Sequence, residues 1–194
     1  MDKNADAKNA DKPFLSDVKT LRDRARKHLE TGALGSSYVG DVKKTIDILQ
    51  SVLATEIVCT LRYQMHAITA SGISSEGVKA EFAEHAKDEW GHAMEVAERI
   101  SQLGGTPNLS PDGILSRSAS EYGKQELNLI EMIKENLIAE RIAVDHYREL
   151  VRYFGNDDPG TKSMLQSILR VEEEHADDMH DLLVAHEGQP MLKE

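Results

Sequence analysis

The sequence predicts an all-α chain: a four-helix bundle made of two antiparallel helical hairpins joined by a long crossover, with an extra helix ahead of it. Three observations carry this. Four long segments place apolar residues three and four apart, the stripe of a helix packed in a bundle. Clusters of Gly, Pro, Ser and Asp separate these segments. Glutamates and histidines interrupt the stripes near their middles, in the order Glu…Glu-x-x-His…Glu…Glu-x-x-His.

Residues 1–13 carry almost no bulky apolar side chains, so a disordered tail is expected there. Its Lys3, Lys8 and Lys12 are offset by Asp2, Asp6 and Asp11, which argues against a DNA-binding arm. Residues 14–40 read as an N-terminal helix, over 16–30 with Ser16 or Asp17 as cap, followed by a linker broken by Gly32, Gly35 and Gly40. The bundle occupies 41–187, and 188–194 form a short C-terminal tail with Gly188 and Pro190 beyond the last helix.

Within the bundle, Asp41 caps a first helix over 42–71 that stops at Ser71 and Gly72. A second helix over 75–103 ends at Gly104, Gly105 and Pro107. The Pro-, Ser- and Gly-containing stretch 104–122 is long enough to cross the bundle. A third helix is expected over 123–154 and a fourth over 160–186, separated by a turn at Asp157, Asp158, Pro159 and Gly160.

The four stripes are Leu49, Val52, Glu56, Cys59, Tyr63, His66; Val78, Phe82, His85, Glu89, His92, Val96; Ile133, Leu137, Glu140, Val144, Tyr147, Val151; and Leu165, Ile168, Glu172, His175, Met179, Leu182. Glu56 and Tyr63 recur 84 residues later as Glu140 and Tyr147, and Glu89 and His92 recur 83 residues later as Glu172 and His175. Two hairpins of one design, related by a pseudo-twofold axis, bring both sets to one centre. Residues three apart on a helix can reach the same point. Four buried glutamates repel one another and each costs several kcal/mol. Two divalent cations cancel their charge, and neutral histidines add donors without adding charge. Glu56, Glu89, His92, Glu140, Glu172 and His175 are therefore the expected ligands of a di-metal carboxylate centre, whose oxygen and imidazole donors suit iron, with manganese as the alternative. Tyr63, Tyr147, His66 and His85 are the candidates for a supporting shell around it.

Composition narrows the partners. A formal charge of −11 on 194 residues argues against nucleic acid and anionic membrane. Cys59 is the only cysteine, which rules out a disulfide or a cysteine-rich metal site within one chain. The N-terminus shows no apolar run of a secretory signal and no stretch approaches a membrane span, so a soluble cytoplasmic protein is expected.

At these residues the sequence resembles the ferritin-like superfamily, most closely bacterioferritin, over residues 42 to 186. The matching motifs are EIVCTLRYQMHA at 56–67, DEWGHA at 88–93, GTPNL at 105–109, Ala139 with Glu140, and LRVEEEH at 169–175. Bacterioferritins place a haem-binding methionine where this chain has Trp90, so no haem is expected by that route. The short C-terminus and the additional N-terminal helix resemble the twelve-subunit miniferritins of the Dps type. The resemblance implies a ferroxidase with two iron ions per chain. It would oxidise Fe(II) with hydrogen peroxide or dioxygen and store ferric mineral in a homo-oligomeric dodecameric cage. The alternatives it leaves are a di-metal peroxidase or catalase without storage, and a DNA-protecting nucleoid protein.

Overall fold

The computed structural model describes residues 16–187 except 28, 33, 36, 37, 73, 74 and 125, so the tails expected over 1–13 and 188–194 lie outside the described residues. Every regular element among the described residues is helical. The first, α1 (Val18–Ala25), begins where the Asp17 side chain accepts the Thr20 backbone N–H at 3.0 Å. It is shorter than the 16–30 expected. None of its residues is buried, so little beyond the cap holds a helix of this length. A 3-10 turn over Leu29–Thr31 follows.

The bundle begins with α2 (Val42–Thr69), capped by Asp41, whose carboxylate accepts the Lys44 N–H at 3.0 Å. A short connection leads into α3 (Ser75–Gln102), which packs along α2. At the far end of α3, Gly104 adopts φ +80°, and the Gly105 N–H closes on the Ile100 carbonyl at 2.9 Å. A Cβ on Gly105 would lie 2.9 Å from the Ile100 side chain and 3.1 Å from that of Ile46, so only glycine fits.

The crossover contains a single turn, α4 (Ile114–Arg117), and is laced to α2 along its length. Gln50 donates to the Thr106 carbonyl at 2.7 Å and accepts the Asn108 N–H at 2.9 Å. Ser51 donates to the Arg117 carbonyl at 2.6 Å, and the Thr55 hydroxyl accepts the Ala119 N–H at 2.9 Å. Arg62, buried, ends the lacing with bonds to the Ser120 hydroxyl and the Glu121 carbonyl.

The next helix, α5 (Leu129–Phe154), starts six residues later than the sequence reading placed it. Asn128 and Glu131 form a reciprocal capping box, which fixes the start. Further upstream, Arg62 holds Ser120 and Glu121 in the crossover. The last helix, α6 (Pro159–Glu187), packs along α5, with Pro159 in its first turn, where its missing N–H is harmless. Asp158 accepts the Thr161 N–H at 2.9 Å, and Arg99 of α3 donates to both Thr161 and Asp158.

The core is layered. Leu49, Val52, Val96, Ile100, Leu165 and Ile168 are buried toward one end, and Tyr63, Val78, Phe82, Ile133 and Met179 toward the other. Between these apolar layers lies one polar layer. Among the described residues no helix is long and apolar enough to cross a membrane.

Candidate metal centre

The six residues that interrupt the stripes meet in the polar layer. Glu56, Glu89, Glu140 and Glu172 are each 1% exposed, and His92 and His175 are buried with them. Their donor atoms fall into two groups, each within 4.8 Å. One consists of Glu56, Glu89, His92 and Glu172; the other of Glu89, Glu140, Glu172 and His175. Glu89 and Glu172 belong to both.

Each group keeps a histidine with the glutamate three residues before it, but the shortest contacts run to the other hairpin. His92 Nδ1 lies 2.9 Å from Glu172, on the other hairpin, 3.4 Å from Glu56 and 3.6 Å from Glu89. His175 Nδ1 has Glu89 as its carboxylate neighbour, at 3.9 Å. The two hairpins exchange partners across the pseudo-twofold axis.

The tyrosines show the same exchange. Tyr147 donates to Glu56 at 2.5 Å, and Tyr63 donates to Glu140. The tyrosine seven residues after one glutamate thus serves the matching glutamate of the other hairpin. Both phenols are completely buried, and burial first, then the adjacent carboxylates, push their pKa values well above the usual range. They stay protonated and remain donors.

Of the other sequence candidates, His85 sits beside the centre. Its Nδ1 is 3.1 Å from the Tyr63 oxygen, and its ring stacks on His175 at 3.9 Å between centroids. Burial lowers its pKa to about 4. His66 lies further off. Its Nδ1 meets the Asn136 amide at 3.0 Å, and burial likewise lowers its pKa to about 4. Asn136 also accepts from Arg62 at 3.0 Å, so His66 belongs to the network that holds the crossover. Neither Asn136 nor Arg62 stood out in the sequence, although both fall near the stripe positions. Cys59 is buried, which pushes its thiol pKa well up, and it accepts a weak contact from Arg62 at 3.6 Å.

The donor set fits cations. Glu56 Oε2, Glu89 Oε1, both Glu172 oxygens, His92 Nδ1 and His175 Nδ1 are buried without a hydrogen-bond partner. The 2.9 Å approach of His92 to Glu172 is close enough for a hydrogen bond, but the atoms are not aligned for one. Buried polar atoms in a folded protein are nearly always satisfied, so six orphans facing one another mark a place for charge to be added. Without metal the charge is made up by protons. Burial and the neighbouring carboxylates push Glu89 and Glu172 well above the ordinary carboxylate range. Burial disfavours a charge on His92, but the carboxylates of Glu172, Glu56 and Glu89 outweigh it and raise its pKa. Burial likewise opposes the charge on Glu56, but His92 and the other neighbours outweigh it and lower its pKa. His175 has fewer carboxylates near it, and burial lowers its pKa.

Comparison with known proteins agrees with this fold. The ferritin-like domain family matches residues 46–187. A solved structure described as a dodecameric thioferritin, the bacterioferritin-related protein from Bacteroides fragilis, is 31% identical. It superposes with a TM-score of 0.74 over 80% of this chain and 94% of that one. A structure from Bacillus anthracis, described as ferritin-like, diiron-carboxylate proteins, is 29% identical, with a TM-score of 0.64 over 73% of this chain and 96% of that one. The DNA protection during starvation protein of Pyrococcus furiosus is 28% identical over 145 residues, 74% of this chain and 78% of that protein.

Proposed function

The chain belongs to the ferritin-like domain family, and from that premise we propose that it is a ferroxidase whose substrate is a pair of ferrous ions. The observation that carries this reading is the pair of overlapping donor groups, built from buried orphan atoms and sharing Glu89 and Glu172. In this reading Glu89 and Glu172 bridge the two ions. Glu56 with His92 completes one position, and Glu140 with His175 the other. Tyr147 and Tyr63 hold the two outer carboxylates in place through their hydrogen bonds. The apolar layers above and below exclude bulk water.

Each ferrous ion gives one electron to the oxidant. With hydrogen peroxide the O–O bond breaks, two protons are taken up, and two ferric ions and two waters result. Two-electron delivery avoids the hydroxyl radical that a single ferrous ion releases from peroxide. Dioxygen can accept the same two electrons and two protons to give hydrogen peroxide.

Iron storage and protection follow if the ferric product is kept. The Bacteroides fragilis relative is described as dodecameric, and a cage of twelve copies of this acidic chain would offer a cation-attracting cavity. Trp90, about half exposed, offers no thioether to a haem. A second reading, DNA protection, is favoured by the name of the Pyrococcus furiosus relative. The charge of −11 makes direct DNA binding weak, and a gel-shift assay at low salt separates the two.

The test is an anaerobic titration of metal-free protein with ferrous iron, followed by peroxide, with ferric absorbance followed in time. The expected result is binding of two ions per chain, rapid oxidation and retention of the ferric product. Oxidation without retention beyond two ions per chain supports a di-metal peroxidase instead. Absence of tight binding overturns the metal centre.

A further inference from the structure

Beside the centre, α3 and α6 enclose a cavity of about 160 Å³ lined by Glu81, His85, Asp88, Val171, His175 and Asp178, among others. Three of these converge. His85 Nε2 is 3.4 Å from Glu81 Oε1 and 3.5 Å from Asp178 Oδ2, and all three donor atoms lie within 4.8 Å. The histidine is 2% exposed, whereas the Asp178 side chain is half exposed and that of Glu81 about one third. A buried imidazole nitrogen therefore faces two carboxylates that reach solvent.

The hydrogen bonds of His85 decide what this nitrogen carries. Tyr63 has one proton and donates it to Glu140. Its oxygen can then only accept from His85, 3.1 Å away at Nδ1. A neutral ring that donates through Nδ1 leaves a bare lone pair on Nε2. Nε2 then faces the two carboxylate oxygens as a third acceptor, 3.4 and 3.5 Å from them. The distances agree, since 3.4 and 3.5 Å are long for an N–H···O hydrogen bond. They match neighbouring donors on one first-row ion, which sit roughly 3.0 to 3.5 Å apart when each bond is about 2.0–2.2 Å.

We propose that Glu81, His85 and Asp178 bind one divalent first-row cation at the mouth of this cavity, as a third site outside the central cluster. One imidazole layer separates it from the centre, because His85 stacks directly on His175. Its place gives it a role: a ferrous ion held here stands between solvent and the His175 side of the pair. That role, though not the site, rests on reading the central cluster as an iron centre.

The test uses Co(II), which takes the same donors and is not oxidised by air on the time scale of dialysis. Full-length protein and a Glu81→Gln/Asp178→Asn double variant are dialysed to equilibrium at low micromolar free Co(II) and physiological salt, and bound ions per chain are counted. Both substituted side chains reach solvent, so folding is not at stake, and circular dichroism checks it. Three ions falling to two supports the proposal. One falling to none also supports it, while removing the reading of the central cluster. Equal counts in the two proteins overturn it. A His85→Gln chain, with Nε2 gone and both carboxylates kept, should lose the same single ion.

Discussion

The two halves of the central cluster carry the same residues in the same order, yet their surroundings differ. Around His92 three carboxylates lie within 3.6 Å, and they raise its pKa against burial. Around His175 the nearest cluster carboxylate is at 3.9 Å, another imidazole covers its face, and burial lowers its pKa. One half is arranged to hold positive charge tightly. The other is joined through His85 to an acidic cavity. A repeated motif therefore sets the donors, and the packing around each copy sets what the donors do.

The largest expected effect comes from removing a residue the halves share. Glu172→Ala should abolish tight binding of both ions and slow peroxide-driven ferrous oxidation by about 100-fold or more, the scale of losing a ligand rather than its support. His92→Ala should leave one ion. If Glu172→Ala kept one tight ion in the same titration, the halves would be independent sites and the sharing would be wrong.

The tyrosines come next. Tyr147→Phe and Tyr63→Phe each free an outer carboxylate, and each should weaken iron binding about tenfold. Tyr63→Phe should do more, because Tyr63 also fixes His85. Equal losses in the two variants, measured by competition with a chelator, would mean that the link through His85 carries no weight.

Protons give a third contrast. At pH 7 the metal-free protein should show one imidazolium, His92, and one neutral ring, His175, by nitrogen NMR. Glu89, Glu172 and His92 hold protons that cations must displace, so binding should release protons and apparent affinity should rise with pH. Calorimetry in two buffers of different ionisation enthalpy measures the release; net uptake would contradict the assignment. The sign for stability is separate. A raised His92 pKa stabilises the metal-free bundle below the ordinary histidine value of 6.5, and this contribution is lost as pH rises through the folded value.

The smallest effect is a control that favours neither half. Gln50→Ala removes two hydrogen bonds to the crossover and should lower stability by about 1 kcal/mol in urea unfolding, with ion counts unchanged. A change in either count would tie the crossover to the centre.

Much of this was legible in the sequence. A buried charged residue on an apolar stripe is a conflict, and six such conflicts in a repeated order pointed to the residues that the structure brings together. Their partners were not legible. That His92 faces Glu172 depends on how the hairpins dock, which helical spacing does not encode. Glu81 and Asp178 were hidden for another reason: acidic residues on the solvent side of α3 and α6 are common, and only the buried nitrogen of His85 distinguishes this pair. The start of α5 was misplaced although its signal was present, in Asn128 and Glu131 three residues apart.

The swapped tyrosines carry a consequence for how such a chain can arise. A lone hairpin bearing a glutamate and, seven residues on, a tyrosine cannot satisfy its own carboxylate, because that phenol reaches only the matching glutamate of a facing copy. Two identical hairpins can satisfy each other. A gene half this length would already specify the whole centre as a symmetric homodimer, and duplication with fusion would then free the copies to diverge, letting one side keep its grip on charge while the other acquired a doorway.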